Sequence, residues 1–288
     1  MTNAGQSLLA NKEVRQIIEL ALSEDHVSND ITSELIIPES LTATAKLTAK
    51  TPGILAGTDV FKAVFQMVDK KLTVDIRIED GDVLKPGDVA AVVSGPVLSI
   101  LKAERTAMNF VCHLSGIATA TSRYVERVAG LPVSIVDTRK TSAGQRMLEK
   151  YAVACGGGKN HRMNLFDGIL IKDNHIAALR RSGLSLGQIV SRAKEGNKYG
   201  SKIEVEVNNM AEAVEAAGTG ADMLLLDNMR VADMKETVSC LRGKVRFEAS
   251  GGITIENVRE MAETGVDIIS IGALTHSAKA LDFSLEMS

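Results

Sequence analysis

Tryptophan is absent from this chain of 288 residues, and all aromatics together make up only 3% of it. That excludes most single-strand nucleic-acid binders, which stack bases on aromatic platforms. It also requires a core built from Ala, Val, Ile, Leu and Met. Cysteine is scarce too: Cys112, Cys155 and Cys240 are odd in number and far apart. No two of them have metal-ligand spacing, so reduced thiols and a cytoplasmic location are expected. No run approaches the roughly 20 apolar residues of a membrane span. The N-terminal stretch MTNAGQSLLANKEVRQ lacks the apolar segment of a signal peptide. The net charge is −3, so no domain-wide basic stripe points to a nucleic-acid partner.

What is present falls into two textures. Up to about residue 115, EVRQIIELALSED has helical periodicity, residues 41–50 and 72–78 alternate like half-buried strands, and AAVVSGPV reads as another strand. Turn signals stand at Glu79–Asp82 and Lys85–Asp88. This is an α+β module with a largely antiparallel sheet. A helix is expected from Leu98 to about Ala129, broken at Leu114-Ser115-Gly116, where a domain boundary would fall. The division expected is therefore residues 1–115 and 116–288, with the C-terminal tail packing back on the first domain.

From Pro132 the pattern changes to short apolar runs separated by amphipathic helices. The runs are VSIVD, GILIKD, KIEVEV, ADMLLLDN, VRFEASGG and DIISIGAL. Thr254 reads as a helix N-cap, and Gly218, Gly243 and Gly265 as helix stops. Apolar strands alternating with helices predict βα units and a parallel sheet. Each run ends in a polar or glycine cluster, as at the active-site face of a βα barrel. A doubly wound sheet would concentrate such residues at one switch point. The fold class is α/β: an N-terminal α+β sandwich domain followed by an incomplete barrel of about six parallel strands, against roughly eight in a full one.

Residues 137–175 hold seven Lys or Arg against four acids, a formal +3 that leaves −6 for the rest of the chain. A compact basic island in an acidic chain suggests a small, multiply anionic ligand. Arg139 and Arg162 suit carboxylates through a bidentate fork, and Lys140 and Lys172 suit phosphate. His161, in GGGKNHR, can donate to an anion. SGGIT (250–254) and IGALTHS (271–277) are glycine-rich turns expected to lead into helix N-termini, as phosphate sites do. Glu206 and Asp227 close neighbouring strands and could accept from ribose hydroxyls or help hold magnesium; Glu204 shares a strand face with Glu206. Cys155 has no evident base partner and reads as a packed thiol.

DTRKT, LEKYAV, GGGKNHR, LIKDNH, EVEV, LLLDN, SGGI and GALTHS, in this order, resemble the quinolinate phosphoribosyltransferase family. EDHVSNDITS and ERTAMNFVCHLSGIAT extend the resemblance over nearly the whole chain. It implies conversion of quinolinate and phosphoribosyl pyrophosphate (PRPP) to nicotinate mononucleotide, pyrophosphate and carbon dioxide in de novo NAD synthesis. It implies a head-to-tail homodimer with shared active sites, or a hexamer. By motif, Thr138, Arg139, His161, Arg162 and Lys172 belong to the quinolinate site, completed by Arg105 from the second subunit. Lys140 and Lys172 would face pyrophosphate. Glu206 and Asp227 would hold the ribose and the magnesium shell, directly or through water. Ser250, Gly251, Gly252, Ile271, Gly272 and Ala273 would cradle the 5-phosphate. Ala143 stands where the family usually has Pro, which should loosen that loop. A nicotinate-using relative, the molybdenum-associated paralogue and a non-catalytic phosphate sensor are the competing readings. The Arg and His surplus favours a dicarboxylate, and retention of the acids and lysines favours catalysis.

Overall fold

The computed structural model describes residues 8–287, so the first seven residues of the leader-free N-terminal reading lie outside it. In chain order the elements begin with α1 (Lys12–Glu24), α2 (Ile31–Ile36), β1 (Thr42–Ala49), β2 (Gly53–Ile54) and α3 (Thr58–Val68). Next come β3 (Thr73–Ile76), β4 (Val83–Leu84), β5 (Val89–Pro96) and α4 (Val97–Arg127). They continue with β6 (Ser134–Val136), α5 (Arg146–Cys155), β7 (Ile169–Ile171), α6 (Asp173–Arg180) and α7 (Leu186–Gly196). Then follow β8 (Ile203–Val207), α8 (Met210–Thr219), β9 (Met223–Asp227), α9 (Val231–Leu241) and β10 (Arg246–Ser250). The chain closes with α10 (Val258–Ala262), β11 (Ile268–Ser270), α11 (Ala273–His276) and β12 (Phe283–Met287). No described helix is long and apolar enough to cross a membrane.

Two compact units form. Among the described residues, the first comprises those up to Ser122, Lys140–Gly157 and those from Ala273 onward. Its antiparallel sheet has the order β12-β1-β5-β3, and β2 pairs with β4. The C-terminal tail thus supplies an edge strand, with Leu285 opposite Leu47. The expected break at Leu114-Ser115-Gly116 does not occur; α4 is continuous through it. These small residues instead seat neighbouring backbone. The Ser115 hydroxyl takes the Ala56 N–H at 3.0 Å, and a Cβ on Gly116 would come within 2.3 Å of the Lys279 carbonyl oxygen.

The second unit comprises Arg123–Arg139 and Gly158–Gly272. All six expected strands are present and parallel, in the order β6-β11-β10-β9-β8-β7. The sheet is the incomplete βα barrel, open between β6 and β7. Residues directly registered across parallel strands point to the same side. Glu206, Leu225, Glu248 and Ile268 are linked in this way, as are Asp227, Ser250, Ser270 and Val136. The alternate positions, including Val205, Leu224, Leu226, Phe247, Ala249 and Ile269, are buried and apolar. One face of the sheet is thus greasy and packs under helices, while the other carries the acids.

Two local expectations are corrected. The stop of α8 is Gly220, at φ 109°, not Gly218, because the left-handed C-cap falls one residue beyond Thr219. Thr254 is not an N-cap: α10 begins only at Val258, and the Asn257 side chain takes the Thr254 N–H at 2.8 Å.

Candidate active site

The site is built at the C-terminal ends of the second unit's strands. Asp137, fully buried just after β6, is its anchor. One carboxylate oxygen accepts the His161 N–H at 2.9 Å and the other accepts from the Asn160 amide at 2.6 Å. Lys159 also bridges to Val136 in parallel fashion. The GGGKNHR segment is therefore pinned alongside β6, bringing Arg162 near Arg139. Burial, and then the Arg139 charge, hold the Arg162 guanidinium below its ordinary value; Glu204 and Asp167 offset this only in part. The Arg139 Nε is buried and has no acceptor. The two guanidiniums are close enough for the Arg139 charge to act on Arg162.

His161 is placed differently from a simple donor to ligand. Its Nε2 lies 3.1 Å from a Glu248 carboxylate oxygen and 3.3 Å from one of Glu204. Its Nδ1 accepts the Arg162 N–H at 2.8 Å. Burial works to lower the imidazole pKa, but hydrogen bonds to Glu204 and Glu248, and their charge, push it up to about 10. Burial likewise pushes the Glu204 carboxyl up. With Nδ1 occupied as an acceptor, the ring N–H is on Nε2, facing the two carboxylates. Glu248 was not among the sequence candidates, and Glu204 appeared only as a face-mate of Glu206. The one signal was an acid between two apolar residues, Phe247 and Ala249, in the strand RFEAS.

A second group is acidic. Glu206 is only 8% exposed. Burial raises its pKa, and the charges of Asp173 and Asp227 raise it further; Lys172 and the Asp173 N–H partly offset them. Several carboxylates converging beside one lysine fit a magnesium ion, which takes hard oxygen donors and keeps water or substrate in its remaining positions. Glu206 and Asp227 would hold it. Among the described residues the only close triad of potential metal ligands is His161, Glu204 and Glu248.

The turn after β10 explains its glycines. Gly251 has φ 89° and Gly252 φ 61°. A Cβ on Gly251 would lie 2.3 Å from the Asn228 side-chain oxygen. Asn228, itself at φ 51°, donates through its amide to Asp227 at 2.8 Å and through its N–H to the Ser250 carbonyl at 2.9 Å. Asp227 and the turn after β10 are thus one hydrogen-bonded piece. The turn does not run directly into a helix, contrary to the expected cradle, since residues 255–257 intervene. Ile271 donates to the Val136 carbonyl at 3.0 Å, which sets the end of β11 beside β6.

Lys140, exposed, follows Arg139 and Thr138 in the chain; in the first unit its carbonyl accepts from Thr275 at 2.7 Å. Arg105 is exposed on α4. The Cys155 thiol is pushed up to about 12, chiefly by burial, so it is a packed thiol and no nucleophile. His113 bonds Glu149 at 3.0 Å.

Two family models cover the chain: "Quinolinate phosphoribosyl transferase, N-terminal domain" over residues 30–115 and "Quinolinate phosphoribosyl transferase, C-terminal domain" over 117–286. The chain is 38% identical over 276 residues to a "probable nicotinate-nucleotide pyrophosphorylase [carboxylating]" of Bacillus subtilis, covering 96% of this chain and 94% of the relative. It is 40% identical over 291 residues to "quinolinate phosphoribosyltransferase [decarboxylating] 1" of Nicotiana glauca, covering 96% and 82%. The crystal structure of NadC from Streptococcus pyogenes superposes with a TM-score of 0.92 at 38% identity, covering 99% of both chains.

Proposed function

The chain belongs to the quinolinate phosphoribosyltransferase family, and from that premise we propose how its residues divide the chemistry. The activity is transfer of the phosphoribosyl group of PRPP to quinolinate with loss of carbon dioxide, giving nicotinate mononucleotide and pyrophosphate for NAD synthesis. One observation carries the assignment of the acceptor site. Arg139 and Arg162 repel each other, and the Arg139 Nε is buried without an acceptor. A ligand with two adjacent carboxylates supplies the missing charge and the missing acceptor, as quinolinate does. His161 and Thr138 complete that site on this chain.

Catalysis rests on bringing two anions together and stabilising a loosening bond. The expected transition state has oxocarbenium character at the ribose C1. Glu206 and Asp227 accept from the ribose hydroxyls, and their charge favours the developing cation. Magnesium, when bound, supplies positive charge against the departing pyrophosphate. Lys140 and Lys172 add theirs. Ser250–Gly252 and Ile271–Ala273 frame the 5-phosphate, with backbone N–H groups other than that of Ile271, which the Val136 carbonyl already takes. The quinolinate ring nitrogen takes the ribose carbon, and its positive charge then stabilises the carbanion left when the adjacent carboxylate departs. The raised thiol pKa of Cys155 agrees with a route that needs no protein nucleophile.

Arg105, exposed on α4, serves the site of a second copy in a head-to-tail homodimer; a hexamer would be an assembly of such dimers. The scattered free cysteines support a cytoplasmic location. The deciding experiment is an assay of pyrophosphate release from PRPP and magnesium, with quinolinate or nicotinate as acceptor. Release with quinolinate alone is expected. Equal turnover of nicotinate would overturn the dicarboxylate assignment.

A further inference from the structure

Glu248 poses a physical problem. It lies in the middle of β10 between Phe247 and Ala249 and is 1% exposed. A buried acid is rarely retained for stability, because an apolar residue of similar volume usually serves as well or better. Its carboxylate lies 3.1 Å from the His161 Nε2, which Glu204 also approaches at 3.3 Å. On the other edge of the same ring, Nδ1 takes the backbone N–H of Arg162 at 2.8 Å, while Asp137 fixes the His161 N–H at 2.9 Å. The imidazole is thus a rigid spacer. One side is set by β8 and β10, and the other sets the main chain from which the Arg162 guanidinium departs.

We propose that Glu248 is a positioning residue for quinolinate: by fixing the His161 ring against β10, it places Arg162 beside Arg139 at the spacing of two neighbouring carboxylates. This rests on the reading of Arg139 and Arg162 as the carboxylate clamp. A metal ion in the triad is the less favoured arrangement, since the Nε2 contacts have hydrogen-bond lengths and two guanidiniums already charge the surroundings. Glu204 assists, but its second oxygen is buried without a partner, so it grips the ring less completely than the pair does together.

The test uses the full chain with Glu248→Met, which keeps length and removes the acceptor, and Glu248→Gln, which keeps an acceptor oxygen. Quinolinate binding is measured by calorimetry, and the KM values for quinolinate and PRPP by steady-state assay. Misplacement by about 1 Å can cost on the order of a hundredfold, so a loss of tenfold or more in quinolinate affinity is expected for Glu248→Met. The PRPP KM should stay near wild type, and Glu248→Gln should restore most of the loss. If Glu248→Met does not fold, Glu248→Asp withdraws the acceptor by one methylene and carries the same expectation. Wild-type quinolinate affinity in the folded variant, or equal damage to both KM values, overturns the proposal. So does stoichiometric transition metal in the purified wild type that is lost on Glu248→Gln. Arg162→Ala run in parallel separates the two readings: normal quinolinate use there removes the clamp itself, whatever Glu248 does.

Discussion

Replacing Arg139 by methionine should move stability and substrate affinity in opposite directions. In the free protein the Arg139 Nε is a buried donor with no acceptor, and its charge pushes on Arg162. A buried unsatisfied polar group costs about 1–3 kcal/mol. Methionine fills most of the stem volume and removes both penalties, so the ligand-free variant should gain stability of that order. In a chain of this size that is a rise of a few degrees in Tm. Binding should change the other way. Truncating one partner of a buried, hydrogen-bonded charge pair costs about 2–5 kcal/mol. At 1.4 kcal/mol per decade, quinolinate affinity should fall about 30- to 4,000-fold. Thermal melts with and without quinolinate read both effects together. Wild type gains about 2.7 kcal/mol at a hundredfold excess over Kd, and the variant should gain less than about 1 kcal/mol at the same concentration. Quinolinate affinity within about threefold of wild type, less than 1 kcal/mol, would refute the clamp. A ligand-free variant that melts several degrees lower would refute the claim that the guanidinium is uncompensated.

The proposed phosphate turn, magnesium acids and shared site give three more. Gly251→Ala combines a left-handed φ of 89° with a Cβ 2.3 Å from the Asn228 oxygen, so it should lower Tm by several degrees and raise the PRPP KM more than the quinolinate KM; unchanged PRPP kinetics would remove the turn from the phosphate site. Burial and its acidic neighbours raise the Glu206 pKa above 4.5, so the folded state holds this proton more tightly than the unfolded state does. Stability from this group is therefore present at low pH and lost as pH rises through the raised value. Glu206→Gln should flatten that slope in pH-dependent melts and abolish the gain from added magnesium; a magnesium gain equal to wild type would exclude Glu206 as a ligand. Mixing inactive Arg105→Ala with inactive Lys172→Ala protein should restore activity through hybrid sites, and failure despite demonstrated subunit exchange would count against a shared site.

The strands of the second unit were legible because each apolar run ended in a polar cluster, a pattern that depends only on strand period and on which end carries chemistry. The cations were legible for the same local reason: they follow strand ends in the chain. The grip of Glu204 and Glu248 on His161 was not legible. It joins β8 to β10 with β9 between them, so it depends on strand order and on which face each residue takes. The continuity of α4 was missed because small residues that weaken a helix locally also permit close backbone approach, and only the position of Lys279 decides between the two. The grouping of Lys140–Gly157 and the tail with the antiparallel sheet is likewise tertiary, since nothing local in LEKYAV states which unit receives it.

The acids and the cations of the site occupy different kinds of structure. Glu204, Glu206, Asp227 and Glu248 lie within strands, whereas Arg139, Arg162 and Lys172 lie just beyond strand ends or in the segment between β6 and β7. Strand positions are fixed by the ladder on both sides, and loops are not. The acids are thus the reference frame and the cations are aimed from it. That arrangement suits two polyanionic substrates. A site of rigid cations alone would be self-repelling when empty, and one with fixed acids keeps the cations oriented without neutralising them. The consequence is measurable. Loss of a cation removes charge and should act on affinity in a salt-dependent way, because exposed charge is screened. Loss of a buried acid such as Glu248 removes aim and should act with little dependence on salt. Comparing quinolinate affinity at low and high ionic strength for Lys172→Ala and Glu248→Met separates the two roles, and an equal salt slope for both would show that the acids act by charge alone.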